Sequence, residues 1–167
     1  MSFNENFNRF FGAAEAQLQR QMRIRRYQSA DWDEWLRMSR ALFPGLNLED
    51  DLDEMRATLA REDAAVFVME RPDGSLAGYV EAGERSIVEG CLSSPVGYIE
   101  AWYVDTDARL SGYGRALLSA AEDWARSRGR TEMGSDALID NEVSHRAHER
   151  SGYEEVDRVV TYRKDLL

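Results

Sequence analysis

The chain has 167 residues, of which 43% are hydrophobic and 31% are charged, as in an ordinary globular domain. Its 31 acidic residues against 21 basic ones give a net charge of −10, which disfavours generic binding to nucleic acid and favours a cationic ligand. No apolar run approaches the roughly 18 residues of a membrane helix, and one cysteine with two histidines is too small a set for a structural zinc site. We therefore expect one domain without a metal, nucleic-acid or membrane partner.

Residues 1–21 are set apart from the rest of the chain by a second methionine, Met22, which follows them. Their apolar residues recur at helical spacing, which predicts an N-terminal extension or a cloning-derived leader, with an amphipathic helix at an oligomer contact as the alternative. The segment lacks the basic start and continuous apolar core of a signal peptide, so we expect a cytoplasmic protein. The fold is expected to occupy residues 22–167 as a single domain.

From residue 22 onward, apolar spacing and the turn residues predict alternating strands and helices. The predicted strands cover residues 22–27, 65–71, 76–84, 96–104, 132–135 and 156–162. The predicted helices cover residues 29–42, 48–59, 112–128 and 141–150. The order β-αα-βββ-α-β-α-β predicts an α/β fold, with a mixed sheet and helices on both of its faces.

The charge is unevenly distributed along the chain. Residues 29–63 contain ten acidic and four basic residues, whereas residues 109–130 contain five arginines against two acidic residues. The simplest interpretation is two solvated helix faces, and the alternative is one site for a cation and another for an anion.

The segment that separates the strand at 96–104 from the next helix has the composition of a phosphate-binding turn. Gly112 and Gly114 allow the backbone N–H groups to converge at the positive end of the helix, and Arg109 and Arg115 add positive charge. No lysine is present for a Walker loop, and the three spaced glycines of a dinucleotide fingerprint are missing. The turn therefore predicts a pyrophosphate site, with a glycine-containing helix start without ligand as the alternative.

The motif Arg109-x-x-Gly112-x-Gly114 resembles the Q/R-x-x-G-x-G/A acetyl-coenzyme A signature of the GCN5-related N-acetyltransferase (GNAT) superfamily. The element order over about residues 22–165 is also similar to that fold, which implies a mixed, mostly antiparallel central sheet flanked by helices on both faces. Three further segments resemble aminoglycoside 6′-N-acetyltransferases. They are residues 93–104 (SSPVGYIEAWYV), Ser135-Asp136, and residues 140–153 with Asn141, Ser144, His145, His148 and Gly152-Tyr153.

The resemblance implies that acetyl-coenzyme A is the co-substrate and that no metal takes part. The backbone of Tyr103 and Val104 would pair with the pantetheine arm, and Asn141 would reach its amide or cap a helix. The turn that would hold the pyrophosphate consists of Arg109, Leu110, Ser111, Gly112, Tyr113, Gly114 and Arg115. Leu110 stands where many relatives have glycine.

The resemblance also implies roles in catalysis. Asp136 is expected to contact the substrate amine, and Glu100 to act as a base through water, because paired carboxylates bind an ammonium group and accept its proton. Relatives often have a tyrosine general acid seven residues after the asparagine of the last helix, and that position here is His148. His148 is therefore a candidate proton donor to the leaving thiolate, with a structural histidine as the alternative.

The acceptor that the resemblance implies is an aminoglycoside, which is a polycation. Asp50, Asp51 and Asp53 are expected to flank its cleft, and Trp32 is a candidate to stack on a sugar ring. Three alternatives stay open: another polyamine, a peptide amine, or a coenzyme-binding regulatory domain without catalysis. Relatives are often dimers, so a homodimer is a further expectation.

Overall fold

The computed structural model describes residues 22–166, so the predicted extension at 1–21 lies outside the described residues. Five strands form one sheet in the order β1-β2-β3-β4-β5. They are β1 Arg23–Arg26, β2 Ala64–Glu70, β3 Leu76–Arg85, β4 Val96–Val104 and β5 Met133–Ser135. The first three pairings are antiparallel and the pairing of β4 with β5 is parallel, which confirms the mixed, mostly antiparallel sheet.

Four helices complete the fold. They are α1 Trp32–Leu42, α2 Leu48–Ala60, α3 Tyr113–Ser127 and α4 Glu142–Arg150, with short 3-10 turns at Ser29–Asp31 and Thr106–Ala108. The predicted cap at Ser29 therefore falls in a 3-10 turn that precedes α1. The side chain of Asn47 accepts a hydrogen bond from the backbone N–H of Asp50 and begins α2.

Alternate side chains of the strands feed two apolar cores, one on each face of the sheet. On one face, Val80 and Ile99 pack against Leu117 and Leu118 of α3. On the other face, Tyr79 and Ala101 pack against Trp35 of α1 and the neighbouring residues of α1 and α2. Every one of these side chains is at most 7% exposed. Helices thus cover both faces, as expected, and the sheet between them is the rigid base of the site.

The predicted closing strand at residues 156–162 is wrong. Residues 153–166 contain neither helix nor strand, and Val156, Val159, Val160 and Tyr162 are 63–92% exposed. The alternation of β-branched residues in this segment is typical of a strand, but a strand also needs an edge to pair with. β5 has only three residues, and no later segment of the described chain pairs with it.

Candidate active site

An irregularity in the pairing of β3 with β4 determines where the Glu100 side chain points. The register passes from Glu81 opposite Ala101 to Ala82 opposite Ile99, so Glu100 has no partner on β3. Such a bulge redirects a side chain and is common beside active sites. Here Glu100 lies with Ala101 on the face that α1 and α2 cover.

Asp136 follows β5 directly and lies beside Glu100. Ile99 and Ser135 are partners in the parallel pairing, so the next residues along the two strands are Glu100 and Asp136. The two carboxyl groups that the resemblance singled out are therefore brought together at the end of β5. Because Asp136 is exposed and Glu100 is half-buried, a ligand in solution can reach both.

Two side chains that the sequence analysis did not single out, Arg85 and Tyr98, connect these carboxylates. Arg85 donates to Oε2 of Glu100 at 2.5 Å, and its guanidinium lies 3.5 Å from the centre of the Tyr98 ring. The Tyr98 hydroxyl donates to Oδ1 of Asp136 at 2.5 Å. Burial and the neighbouring Asp136 carboxylate raise the pKa of the Tyr98 phenol, so it stays protonated and keeps donating. The Arg85 guanidinium thus neutralises Glu100 and lies against the Tyr98 ring that holds Asp136.

An acidic cavity of about 340 Å³ opens beside Glu100, between the sheet and α2. Its charged side chains are four carboxylates and one guanidinium, that of Arg61. The cavity is lined by Ser39, Phe43, Asp51, Glu54, Met55, Ala57, Thr58, Arg61, Glu81, Glu100 and Ala101. A cavity with this excess of carboxylates attracts cations and repels anions.

Glu81 is a lining residue that the sequence analysis also missed. Its Oε1 accepts a hydrogen bond from the Trp35 indole N–H at 3.0 Å. Burial raises the pKa of Glu81 to about 7, and the negative charges of Glu100 and Glu54 also act to raise it. The hydrogen bond from Trp35 acts to lower it. The sequence carried one signal of this residue, which is a carboxylate within the otherwise apolar stretch 76–83 of β3.

The three aspartates that were expected to flank the cleft have different surroundings. Only Asp51 lines the cavity; it is 1% exposed and accepts a hydrogen bond from the Ser39 hydroxyl at 3.0 Å. Asp50 is exposed beside the Asn47 cap, and Asp53 is exposed and pairs with Arg56 at 2.9 Å. Neither of these two lines the cavity.

Trp32 belongs to the core rather than to the lining of the cavity. It packs edge-on against Trp35, with 6.0 Å between ring centres, and is half-buried in the cluster of α1. The structure therefore does not bring Trp32 together with Glu100.

The glycine turn begins α3. Gly112 is its N-cap, with a φ of 83° that favours glycine, and no described side chain caps this end of the helix. A Cβ on Gly114 would lie 3.0 Å from the Trp102 ring, so glycine lets the first turn of the helix approach β4 closely. The first turn contains no acidic residue and includes Arg115. These features fit an anion held by backbone N–H groups at the positive end of α3.

The residues that precede Gly112 are mostly exposed. Leu110 is 95% exposed and has a φ of 61°, which explains in physical terms why many relatives have glycine there. Ser111 and Tyr113 flank the cap, and Ser111 donates to the carbonyl of Arg109 at 3.3 Å. The Arg109 guanidinium donates to the carbonyl of Val104 at 2.8 Å, which fixes the turn to the end of β4.

The edge of β4 that faces β5 is open beyond Ile99. β5 ends at Ser135, so Glu100–Val104 have no strand partner on that side within the described chain. Tyr103 and Val104 lie on this open stretch, where an extended ligand can pair with the backbone as a strand would.

Asn141 is the N-cap of α4, and His148 lies within that helix. The Asn141 side chain caps the helix by accepting from the Ser144 N–H at 3.1 Å, so the predicted capping role is present. His148 Nδ1 lies 2.8 Å from the Ser144 carbonyl, while Nε2 lies 2.9 Å from the Ser135 hydroxyl. If Nδ1 carries the proton for that carbonyl, Nε2 of the neutral ring accepts from Ser135. The His148 ring also packs edge-on against Trp102 of β4 at 5.3 Å.

Two further observations bear on the ligand class. Among residues 22–166, no group of three or more potential metal ligands is close enough to hold an ion. In the same part of the chain, no helix has the length and apolar character needed to cross a bilayer.

Comparison with known proteins identifies the family. Residues 32–153 match the model of the acetyltransferase (GNAT) family. The chain is 39% identical to the aminoglycoside N(6')-acetyltransferase type 1 of Stenotrophomonas maltophilia, over 86% of this chain and 93% of that protein. It is 38% identical to the enzyme of the same name from Klebsiella aerogenes, over 86% of this chain and 96% of that protein.

Solved structures agree with this comparison. The structure of AAC(6')-Iy in complex with the bisubstrate analogue CoA-S-monomethyl-acetylneamine has a TM-score of 0.81 and 32% sequence identity, covering 86% of this chain and 98% of that one. The enzyme AAC(6')-Ih of Acinetobacter baumannii has a TM-score of 0.80 and 29% identity, covering 87% of this chain and 99% of that one.

Proposed function

Because the chain belongs to the GNAT acetyltransferase family, we propose that it transfers the acetyl group of acetyl-coenzyme A to the 6′-amine of an aminoglycoside, within one ternary complex. The observation that carries the proposal is the placement of Glu100, which lines the acidic cavity on the strand that leads into the glycine turn, beside Asp136 at the end of β5. The relatives that carry the name of this reaction are aligned over most of the chain.

Acetyl-coenzyme A supplies the activated acetyl group, and residues of this chain fit it. The N–H groups at the start of α3, with Arg115, are suited to the pyrophosphate, and the open edge at Tyr103 and Val104 is suited to the extended pantetheine arm. Asn141 has an exposed amide on the facing helix that is suited to the amides of that arm.

The chemistry requires an ammonium group to lose a proton before its nitrogen forms the new C–N bond, while the broken C–S bond leaves a thiolate that gains one. Asp136 holds the ammonium group directly, and its position is fixed by the Tyr98 hydroxyl. Glu100 accepts the proton through water once the incoming cation has displaced Arg85 from it. The exchange of one cation for another keeps Glu100 neutralised throughout binding.

His148 supplies the proton at the thiolate. Its Nε2 lies 2.9 Å from the Ser135 hydroxyl, at the end of β5 where the reacting groups meet. In the neutral ring that accepts from Ser135, Nε2 carries no proton to give, so the transfer starts from the imidazolium. In the imidazolium form, Nε2 donates directly.

We further propose that the protein works in the cytoplasm as a homodimer that confers antibiotic resistance by inactivating the drug. Acetyl-coenzyme A is an intracellular metabolite, which supports the location. Two features support contact with a second copy. The apolar side chains of residues 156–162 are exposed, and the outer side of β5, away from β4, has no strand partner within the described chain. Sedimentation should give twice the chain mass of 19.1 kDa, and a single-chain mass at all concentrations would contradict the dimer.

Turnover across acceptors tests the function. We expect thiol release from acetyl-coenzyme A with aminoglycosides that carry a 6′-amine and none with analogues that carry a 6′-hydroxyl. Turnover with linear polyamines or peptide amines alone would favour those acceptors instead. Binding of acetyl-coenzyme A without turnover on any amine would identify a regulatory domain.

A further inference from the structure

Three neighbouring strands present carboxyl groups next to one another. Asp136 follows β5, Glu100 lies on β4 at the bulge, and Glu81 lies on β3 beside that bulge. Strands in a sheet are about 4.8 Å apart, so the row from Asp136 to Glu81 spans about 10 Å. One ammonium group cannot contact both ends of such a row.

Of the four carboxylates that line the cavity, Glu81 and Glu54 pair with no cation among residues 22–166, and of these two only Glu81 is withdrawn from solvent, because Glu54 is exposed on α2. Arg61 pairs with Asp63 and Glu100, Arg85 pairs with Glu100, and the ion pairs of residues 22–166 include none with Glu81. A carboxylate that is removed from water without a partner is destabilising, so its retention within an apolar strand needs a reason. The Trp35 hydrogen bond is not sufficient, since a neutral glutamine would accept it equally well.

We propose that Glu81 binds a second ammonium group of the acceptor, one that is not acetylated, and thereby orients the amine that reacts. This inference rests on the proposed function, because it assigns a binding residue to a second amine of the same polycationic acceptor. Two ammonium groups on different rings of one acceptor could therefore occupy the two ends of the row. Glu81 is thus a binding and specificity group for polyamines with two separated charges.

Proton release is the distinguishing consequence. The groups that face Glu81 are Trp35 from α1, Glu54 and Thr58 from α2, and Glu100 from β4. Burial raises the pKa of Glu81 to about 7, so near neutral pH a part of the molecules carries a proton there. An ammonium group that binds beside Glu81 favours the carboxylate and expels that proton.

The test compares two acceptors and three variants. Neamine has several amines, whereas 6-amino-6-deoxyglucose has only the reacting one. We expect Glu81→Gln to raise the KM for neamine about ten-fold with kcat changed less than two-fold, the size expected for one charged hydrogen bond. Glu81→Asp should restore much of the affinity. Glu49→Gln, an exposed change on α2 outside the cavity, is the matched control and should leave KM unaltered.

With the monoamine, wild type and Glu81→Gln should have equal kcat/KM. Calorimetry of neamine binding at pH 7, in buffers with different heats of ionisation, should show that Glu81→Gln releases fewer protons than wild type. Equal KM values for neamine, equal proton counts, or a loss of kcat/KM that is the same for both acceptors would overturn the proposal. Wild-type protein that acetylates neither acceptor would contradict the proposed function instead.

Discussion

The acidic cavity and the glycine turn lie at opposite ends of one site and attract opposite charges by different means. In the cavity the charge is carried by side chains from three elements, and much of it is neutralised internally, as Arg61 and Arg85 show on Glu100. In the turn the positive potential comes mainly from backbone N–H groups that no described side chain caps. Specificity for the acceptor therefore depends on individual residues, whereas binding of the anion depends on backbone conformation.

The largest effect is expected from Asp136, at the cavity end. Asp136→Asn keeps the size of the side chain and removes the negative charge that holds the ammonium group. Turnover should fall about ten-fold to a thousand-fold while affinity for acetyl-coenzyme A is retained. Steady-state acetylation against pH, with coenzyme affinity from a separate titration, measures both. Glu100→Gln should lose less turnover than Asp136→Asn. Its turnover should recover partly at high pH, where more of the substrate amine is neutral. Wild-type turnover by Asp136→Asn would make this residue structural.

The next largest effect is expected at the turn. Asparagine and aspartate both tolerate the left-handed conformation of Gly112 and have the same shape, so they differ only in charge. Gly112→Asp should weaken acetyl-coenzyme A binding at least ten-fold relative to Gly112→Asn, because its charge faces the pyrophosphate site. Calorimetric titration provides the affinities, and circular dichroism confirms that both variants fold. Equal affinities of the two variants would show that the pyrophosphate does not bind at this turn.

The free energy of unfolding of the protein should depend on pH through Glu81. The folded protein holds a proton on Glu81 up to about pH 7, whereas the unfolded chain releases it near pH 4.5. Stability from this group is therefore present below about pH 4.5 and is lost as the pH rises to about 7. Glu81→Gln should stabilise the protein by about 1–3 kcal/mol at pH 8 and have no effect near pH 4. Urea unfolding at the two pH values measures the difference, and an equal effect at both would contradict the assignment.

A smaller effect separates the lining of the cavity from the remaining acidic surface. Glu54 lines the cavity, whereas Asp53, the adjacent residue, is exposed and pairs with Arg56. Glu54→Gln should raise the KM for an aminoglycoside several-fold and flatten its dependence on salt, whereas Asp53→Asn should change neither. Equal responses of the two variants would show that the acceptor is attracted by the total charge of the acidic surface and not by the carboxylates that line the cavity.

The smallest effect is expected at Leu110. Its left-handed backbone is unfavourable for leucine by about 1–2 kcal/mol, and the greater freedom of glycine in the unfolded chain offsets about 0.5–1 kcal/mol of that. Leu110→Gly should therefore raise the melting temperature by a few degrees and leave coenzyme affinity within two-fold. Thermal unfolding measures this shift, and a lowered melting temperature would show that the exposed leucine contributes contacts.

The predicted elements succeed where local signals suffice. The bounds of β4 match the prediction at both ends, because Pro95 precedes a run of apolar residues that only Glu100 interrupts, and the polar turn follows it. The segment at 156–162 fails because a strand requires an edge, and local alternation carries no information about that edge.

In the candidate site, too, the residues predicted from the sequence differ from those that only the folded structure shows. The glycine turn came from its own motif, because anion binding requires glycines and a helix start at that spacing, whereas Glu100 and Asp136 came from the resemblance to the family. Glu81, Arg85 and Tyr98 contribute through contacts across strands, such as the stacking of Arg85 on Tyr98, which depend on register and on one bulge. The positions of Asp50 and Asp53 depend on the rotation of α2, which the sequence constrains only through its apolar stripe.

The helix that carries Asn141 and His148 has no buried residue, in contrast to α3, where four residues are buried. A helix held by so few enclosed contacts opens with a smaller free energy than the sheet beneath it, and its amide hydrogens exchange with solvent through local unfolding. A ligand that contacts only the closed helix suppresses that opening by mass action. On the proposed function this helix faces the coenzyme, so we expect the order of that wall to increase when the coenzyme binds.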